Sequence, residues 1–139
     1  MSHNALISYL GENKPNLITE ITTYLTNLGG EFSGVTFATL GRGCELTMVY
    51  NKSDELNINE LESGLSNLDA CKNGEFQVKL FKLDTEGGPT SKITHRVILA
   101  GEDQKGLLSR IIQTLDSNSA VIVRMNTEKI SYPENTQYI

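Results

Sequence analysis

The stretch Gly11-Glu12-Asn13-Lys14-Pro15-Asn16-Leu17 returns 90 positions later as Gly101-Glu102-Asp103-Gln104-Lys105-Gly106-Leu107. In both places an apolar run leads in and an amphipathic run leads out. A repeat constrains the fold more tightly than composition does, because the second copy must begin with the same local structure as the first.

The first copy can be followed to its end. Asn4 to Leu10 reads as a buried strand, since a short apolar run before a glycine fits the middle of a sheet. Gly11 to Asn13 forms a turn, and Asn13 is the expected N-cap. Pro15 suits the first helical turn, where its missing N–H has no partner to lose. Leu17, Ile18, Ile21, Leu25 and Leu28 then fall on one helical face, and Gly29-Gly30 stops the helix. Glu31 to Leu40 reads as a long strand with Val35 and Phe37 on one face, and Gly34 marks a bulge or a close approach. Gly41-Arg42-Gly43 is a hairpin turn. Cys44, Leu46, Met48 and Tyr50 alternate with Glu45, Thr47 and Val49, the pattern of a half-buried strand. Ser53 or Asp54 is the expected cap of a second helix, with Ile58, Leu61, Leu65 and Leu68 as its stripe. Cys71 to Gly74 is a loop. Glu75 to Leu83 is a fourth strand with Phe76, Val78 and Leu80 inward. The order β-α-β-β-α-β is the α+β ferredoxin-like unit, with both helices on one face of an antiparallel sheet of strand order 4-1-3-2. This first domain spans 1–83.

Residues 84–92 (DTEGGPTSK) have the composition of a linker. From 93 to 139 the first half of the unit recurs. Ile93 to Ala100 is the expected strand. Leu107, Leu108, Ile111, Ile112 and Leu115 repeat the helix face, Asn118 is the expected left-handed cap, and Ala120 to Ile130 is the expected second strand. Ser131 to Thr136 is a hairpin loop, and Gln137-Tyr138-Ile139 begins a third strand. Counterparts of Cys44 to Leu83 are mostly missing from this second, partial domain. Its first strand therefore lacks both expected neighbours, and dimerisation or strand exchange is the expected remedy for the unpaired backbone.

The net charge of −5, with Lys and Arg scattered, argues against direct nucleic-acid binding. No apolar run approaches the roughly 18 residues of a membrane helix, and Met1-Ser2-His3-Asn4 does not resemble a signal peptide. A cytoplasmic location is expected. Cys44 and Cys71 have no metal spacing and are expected to be reduced structural thiols. His3 and His95 have no metal-ligating partners at suitable spacing. Ser109 and Thr19 have no nearby His, so a nucleophilic triad has no support. No catalytic residue, metal or cofactor is expected. An RNA-binding sheet would need outward aromatic and basic residues, and Gln77, Lys79, Glu45 and Thr47 do not supply them.

Each repeated loop feeds a helix N-terminus. Orphan N–H groups and the positive end of the helix dipole suit a carboxylate, and Asn13 or Asp103 can accept from an α-amino group. Capping alone also explains an Asx residue at that position. The strand, the Gly-Glu-Asx-x-x-x-Leu loop, the helix and the long second strand together resemble the ACT domain, a small ligand-binding module of amino-acid metabolism. Two such modules with no enzyme attached resemble the glycine cleavage system transcriptional repressor family. Gly101-Glu102-Asp103 with Lys105-Gly106-Leu107, and Asn126-Thr127-Glu128-Lys129, carry that likeness in the second copy. The family's loop reads roughly Asp-Arg-Pro-Gly-Leu. Here Asn13 stands for Asp and Asn16 for Gly in the first copy, and Lys105 stands for Pro in the second. The resemblance implies ligand contacts at Asn13, Asn16, Leu17, Asp103, Gly106 and Leu107, where two modules meet side by side. It implies a non-enzymatic homodimer that responds to an amino acid such as glycine or serine and acts on a transcription-factor partner. The alternative is the regulatory module of an enzyme, as in the formyltetrahydrofolate deformylase family.

Overall fold

The computed structural model describes residues 3–80, 82, 92–102, 104–131 and 136–138. The chain divides into two compact units, Met1–Asp84 and Thr85–Ile139.

The first unit runs β1 (His3–Glu12), α1 (Leu17–Asn27), β2 (Glu31–Leu40), β3 (Gly43–Lys52), α2 (Ile58–Ser66), a single 3-10 turn (Asp69–Cys71) and β4 (Glu75–Leu80). Its sheet is antiparallel with order β2-β3-β1-β4, which is the ferredoxin-like order. The alternating pattern of β1 puts Ala5, Ile7 and Tyr9 inward, opposite Tyr50, Met48 and Leu46 of β3. Leu17, Ile21 and Leu25 from α1 and Leu61 and Leu65 from α2 complete the buried cluster. Burying such side chains contributes about 1.5–3 kcal/mol each, which is what holds two short helices on the sheet. Tyr9 is wedged between Gly11 and Gly74, whose missing Cβ atoms leave room for its ring. The expected irregularity at Gly34 is a β-bulge: the register shifts between Phe32 and Gly34, so Ser33 is the extra residue.

Three local expectations are corrected. The second helix is capped by Asn57, not by Ser53 or Asp54: its Oδ1 accepts from the Glu60 N–H at 3.2 Å. A cap serves an N–H two or three residues on, and the helix begins only at Ile58, out of reach of Ser53 and Asp54. In β4, Val78 is buried and Phe76 half-buried, but Leu80, the last residue of this edge strand, is 67% exposed. Lys82 is not in a strand, and 81 and 83 lie outside the described residues.

In the second unit α3 spans Leu107–Ser117, and a small antiparallel sheet orders β5 (Gly101–Glu102), β7 (Thr136–Tyr138) and β6 (Lys129–Ser131) as β5-β7-β6. The strands expected over 93–100 and 120–128 carry no ladder. Their apolar side chains are exposed, among them Val97 at 59%, Ile98 at 78% and Val121 at 65%. Apolar alternation gives the pleat but not the partner, and a strand exists only once its N–H and C=O groups are paired. Most of the expected 131–136 hairpin loop lies outside the described residues. The left-handed residue after α3 is Ser119 (φ 59°), whereas Asn118 has φ −99° and donates its side-chain N–H to the Thr114 carbonyl at 2.7 Å. Ser119 lies 90 positions after Gly29 (φ 91°), so the repeat holds at this residue as well.

Candidate functional site

The two repeated loops adopt one backbone conformation. The Leu17 N–H donates to the Lys14 carbonyl at 3.3 Å and the Leu107 N–H to the Gln104 carbonyl at 3.1 Å, each closing a four-residue turn. The third residue of each turn is left-handed: Asn16 at φ 67°, ψ 6° and Gly106 at φ 78°, ψ 6°. With Pro15 ahead of Asn16, the first loop has the residue signature of a type II turn. Asn is among the few residues with a side chain that enter the left-handed region readily, so Asn16 reproduces the backbone that Gly106 takes freely.

These left-handed residues, not the Asx residues ahead of them, occupy the N-cap positions. Asn13 does not cap α1. Its backbone N–H donates to the Arg42 carbonyl at 3.4 Å, and neither it nor Asn16 makes a side-chain cap bond. The turn after Asn13 holds its side chain too far ahead of the helix to reach the first N–H groups. Asp103 lies outside the described residues.

The turn leaves donors free. In α1 the Leu17 N–H is used by the turn, and the Glu20 N–H bonds the Asn16 carbonyl at 2.9 Å. Among the described residues no acceptor is present for the N–H groups of Ile18 and Thr19 between them. In α3 the Leu107 N–H and the Arg110 N–H are used in the same way, the latter at 3.0 Å to Gly106, leaving Leu108 and Ser109. Each helix thus begins with two adjacent outward N–H groups, on residues that are themselves exposed. Leu17 is 2% exposed and belongs to the core, so its side chain does not face the loop. Leu107 is half-buried.

Charge around the two loops differs. Lys14 reaches from the first loop to the Lys72 carbonyl at 3.4 Å and to the Glu12 carboxylate at 3.9 Å. Glu20, in the first turn of α1, turns away and accepts from the Ala70 N–H at 2.8 Å. Its counterpart under the repeat is Arg110, which folds back over the second loop. Its guanidinium donates to the Lys105 carbonyl at 3.3 Å and to the Gln104 side chain at 3.4 Å. Sequence reasoning missed Arg110. The signal was available: a cation in the first turn opposes the helix dipole, a placement that calls for a separate reason.

Two buried thiols stand behind the first loop. Cys44 Sγ lies 4.0 Å from the Glu12 carbonyl. Burial pushes the Cys71 thiol up to about 11, with Glu20 adding to the effect and Lys14 opposing it. Burial likewise raises Cys44. Neither is a ready nucleophile at neutral pH. Among the described residues no group of three His, Cys, Asp or Glu side chains could hold a metal ion. No helix among them is long and apolar enough to cross a membrane.

No protein-family model matches the sequence, and no curated protein matches it. Solved structures do. An unknown protein from Galdieria sulphuraria superposes with TM-score 0.69 at 15% identity, over 99% of this chain and 78% of that one. A candidate glycine cleavage system transcriptional repressor does so with TM-score 0.65 at 17% identity, over 99% of this chain and 77% of that one. An ACT domain protein from Streptococcus pneumoniae matches with TM-score 0.50 at 13% identity, over 56% of this chain and 89% of that one. At such identities the likeness concerns the fold. In structure the chain resembles ACT-domain proteins, the candidate glycine cleavage repressor among them.

Proposed function

We propose that the chain is a non-enzymatic regulatory protein that binds a free amino acid at the turns preceding α1 and α3. The recurrence of one turn carries this reading: a left-handed residue at the cap, then two adjacent N–H groups without acceptors among the described residues, at both Asn16 and Gly106. Among the described residues neither cap residue's side chain takes up those donors, which suits a carboxylate. The exposed side chains of Asn13 and Asn16 offer acceptors for the ligand's ammonium group, and Arg110 offers a second partner for a carboxylate at the second loop. Glycine and serine are the ligands to test first, because Asn13 and Asn16 lie on an exposed turn, which favours a small side chain.

Binding would bias the chain between states that a partner protein distinguishes. The partner in this reading is a transcription factor in the cytoplasm, and the acidic chain acts by protein contact. The fold likeness to the candidate glycine cleavage repressor favours this direction. A second reading, a module that regulates a folate enzyme, draws on the likeness to formyltetrahydrofolate deformylase from Burkholderia mallei (TM-score 0.50, 9% identity) over 56% of this chain and 28% of that one.

Isothermal titration of the full chain with a panel of amino acids tests the proposal. Saturable heat is expected with at least one small amino acid. No heat from demonstrably folded protein would leave an interaction module without a ligand. A gel shift with DNA is expected to be negative, and sequence-specific binding by the chain alone would refute action through a protein partner.

A further inference from the structure

The sheet of the first unit is built from two halves of the same kind. β1-α1-β2 and β3-α2-β4 are each a strand, a helix and a strand, and the order β2-β3-β1-β4 is unchanged when the halves exchange places. Each half alone leaves a gap between its two strands. The first strand of the other half fills it: β3 lies between β2 and β1, and β1 lies between β3 and β4. Every neighbouring pair is antiparallel. An approximate two-fold axis normal to the sheet, near the facing residues Ile7 and Met48, therefore relates the halves.

The second unit repeats one half. α3 carries Leu107, Ile111 and Leu115 where α1 carries Leu17, Ile21 and Leu25. The α1 residues are buried, yet no residue of α3 is. Segments 93–100 and 120–128 are the counterparts of β1 and β2, with the gap between them. β7 marks that gap, since it lies between β5 and β6 as β3 lies between β1 and β2, but it pairs there only with Gly101–Glu102 and Lys129–Ser131. Val97 and Leu99, the counterparts of inward Ile7 and Tyr9, are 59% and 50% exposed. A strand-helix-strand half with an open gap fits a second half of its own kind, and a second copy of this chain carries one. Charge allows the meeting. The chain carries −5, but from Ile93 to Ile139 there are five Lys or Arg and five Asp or Glu, so two copies approach here without net repulsion.

We propose that two copies of the chain complete one sheet through their second units. Segment 93–100 of each copy enters the gap between 93–100 and 120–128 of the other, giving four strands beneath the two copies of α3. A two-fold axis at Val97 sets this residue against Val97 of the second copy, and Leu99 of each copy against His95 of the other, all on the helix side. Gly101 and Glu102 stay paired with β7. The copies meet in the middle of a sheet that neither finishes alone, not along the rim of a finished one. This goes beyond the amino-acid reading and does not depend on it. Sedimentation equilibrium and disulfide trapping of the full chain test it. The unmodified chain is expected to be dimeric. Val97→Cys is expected to form a disulfide between copies under mild oxidation, because directly opposed residues of antiparallel strands have Cα atoms about 4.5–5.5 Å apart, within disulfide reach. Gln113→Cys, exposed on α3, is expected not to, and Cys44 and Cys71 are buried. Val97→Lys sets like charges face to face on the axis and is expected to weaken association by about tenfold or more, with the urea midpoint of the first unit unchanged. A monomer at all concentrations, Val97→Cys cross-linking no faster than Gln113→Cys, or Val97→Lys associating as tightly as the original would overturn the proposal.

Discussion

Replacing Asn16 by Ala and by Gly isolates the left-handed turn on which the candidate site depends. Asn16 stands at φ 67° with its side chain exposed and uninvolved in capping. No packing or hydrogen bond of the side chain is therefore lost in either variant, and the backbone conformation decides the result. A left-handed residue with a Cβ costs roughly 1–2 kcal/mol, less for Asn, whose short polar side chain eases that region. Asn16→Ala is accordingly expected to lose about 1 kcal/mol. Asn16→Gly removes the residual strain but loosens the unfolded chain by a comparable few tenths of a kcal/mol, so it is expected to be near neutral. With a urea slope of about 1–3 kcal/mol/M, the Ala variant should shift the midpoint down by about 0.3–1 M relative to the Gly variant. Urea melts followed by circular dichroism measure the difference. If the two variants unfold at the same midpoint, Asn16 is not held left-handed in solution, and the equivalence of the two loops fails with it.

Tyr50→Phe is expected to destabilise the first unit by about 1–1.5 kcal/mol. The Tyr50 hydroxyl donates to the Leu25 carbonyl at 2.8 Å inside the core and secures the C-terminal turn of α1. Faster amide exchange at Leu28 and Gly29 would locate the loss. Gly30→Ala should be worse than Tyr50→Phe in thermal unfolding, because the added Cβ would overlap the Tyr50 ring. Stability should fall as pH rises from about 9 towards 11, since the unfolded Cys71 thiol ionises near 9.0 while the folded one holds its proton to about 11. Urea midpoints at pH 7.5, 9 and 10 should show the slope, and Cys71→Ala should flatten it. Arg110→Gln is expected to weaken carboxylate binding at the second loop by about fivefold, the worth of roughly 1 kcal/mol from an exposed charge, as read by titration calorimetry.

The first unit was legible because its residues alternate cleanly. Ala5, Ile7 and Tyr9 faced one way in the sequence and do so in the sheet, and Gly34 announced the bulge. The caps were harder to read. Asn13 and Asn16 are both good cap residues, and only the turn closed by the Leu17 N–H decides between them. Asn57 was obscured by Ser53 and Asp54 for the same reason: several residues competent to cap lay within one turn of the helix start. In the second unit the apolar residues of 93–100 and 120–128 were visible, but which backbone they pair with is not written in their alternation. Orphan N–H groups at the two helix starts were expected, but only the backbone assigns them, among the described residues, to Ile18 and Thr19 and to Leu108 and Ser109.

Ser33 acts on β2 as a frameshift acts on a message. A pleated strand is read in twos, and one inserted residue exchanges inside for outside in everything on one side of it. Phe32 and Val35, three apart, both share the face of inward β3 residues, Tyr50 and Met48, only because Ser33 is skipped. Deleting Ser33 while keeping the 41–43 hairpin would remove the bulge, leave Val35, Phe37 and the rest of the strand in frame, and keep Phe32 opposite its ring partner Tyr50. Inserting a second residue beside Ser33 would lengthen the bulge without altering either frame. Single-residue length changes at this point are therefore not equivalent: the loss restores a regular pleat, whereas the gain widens the bulge.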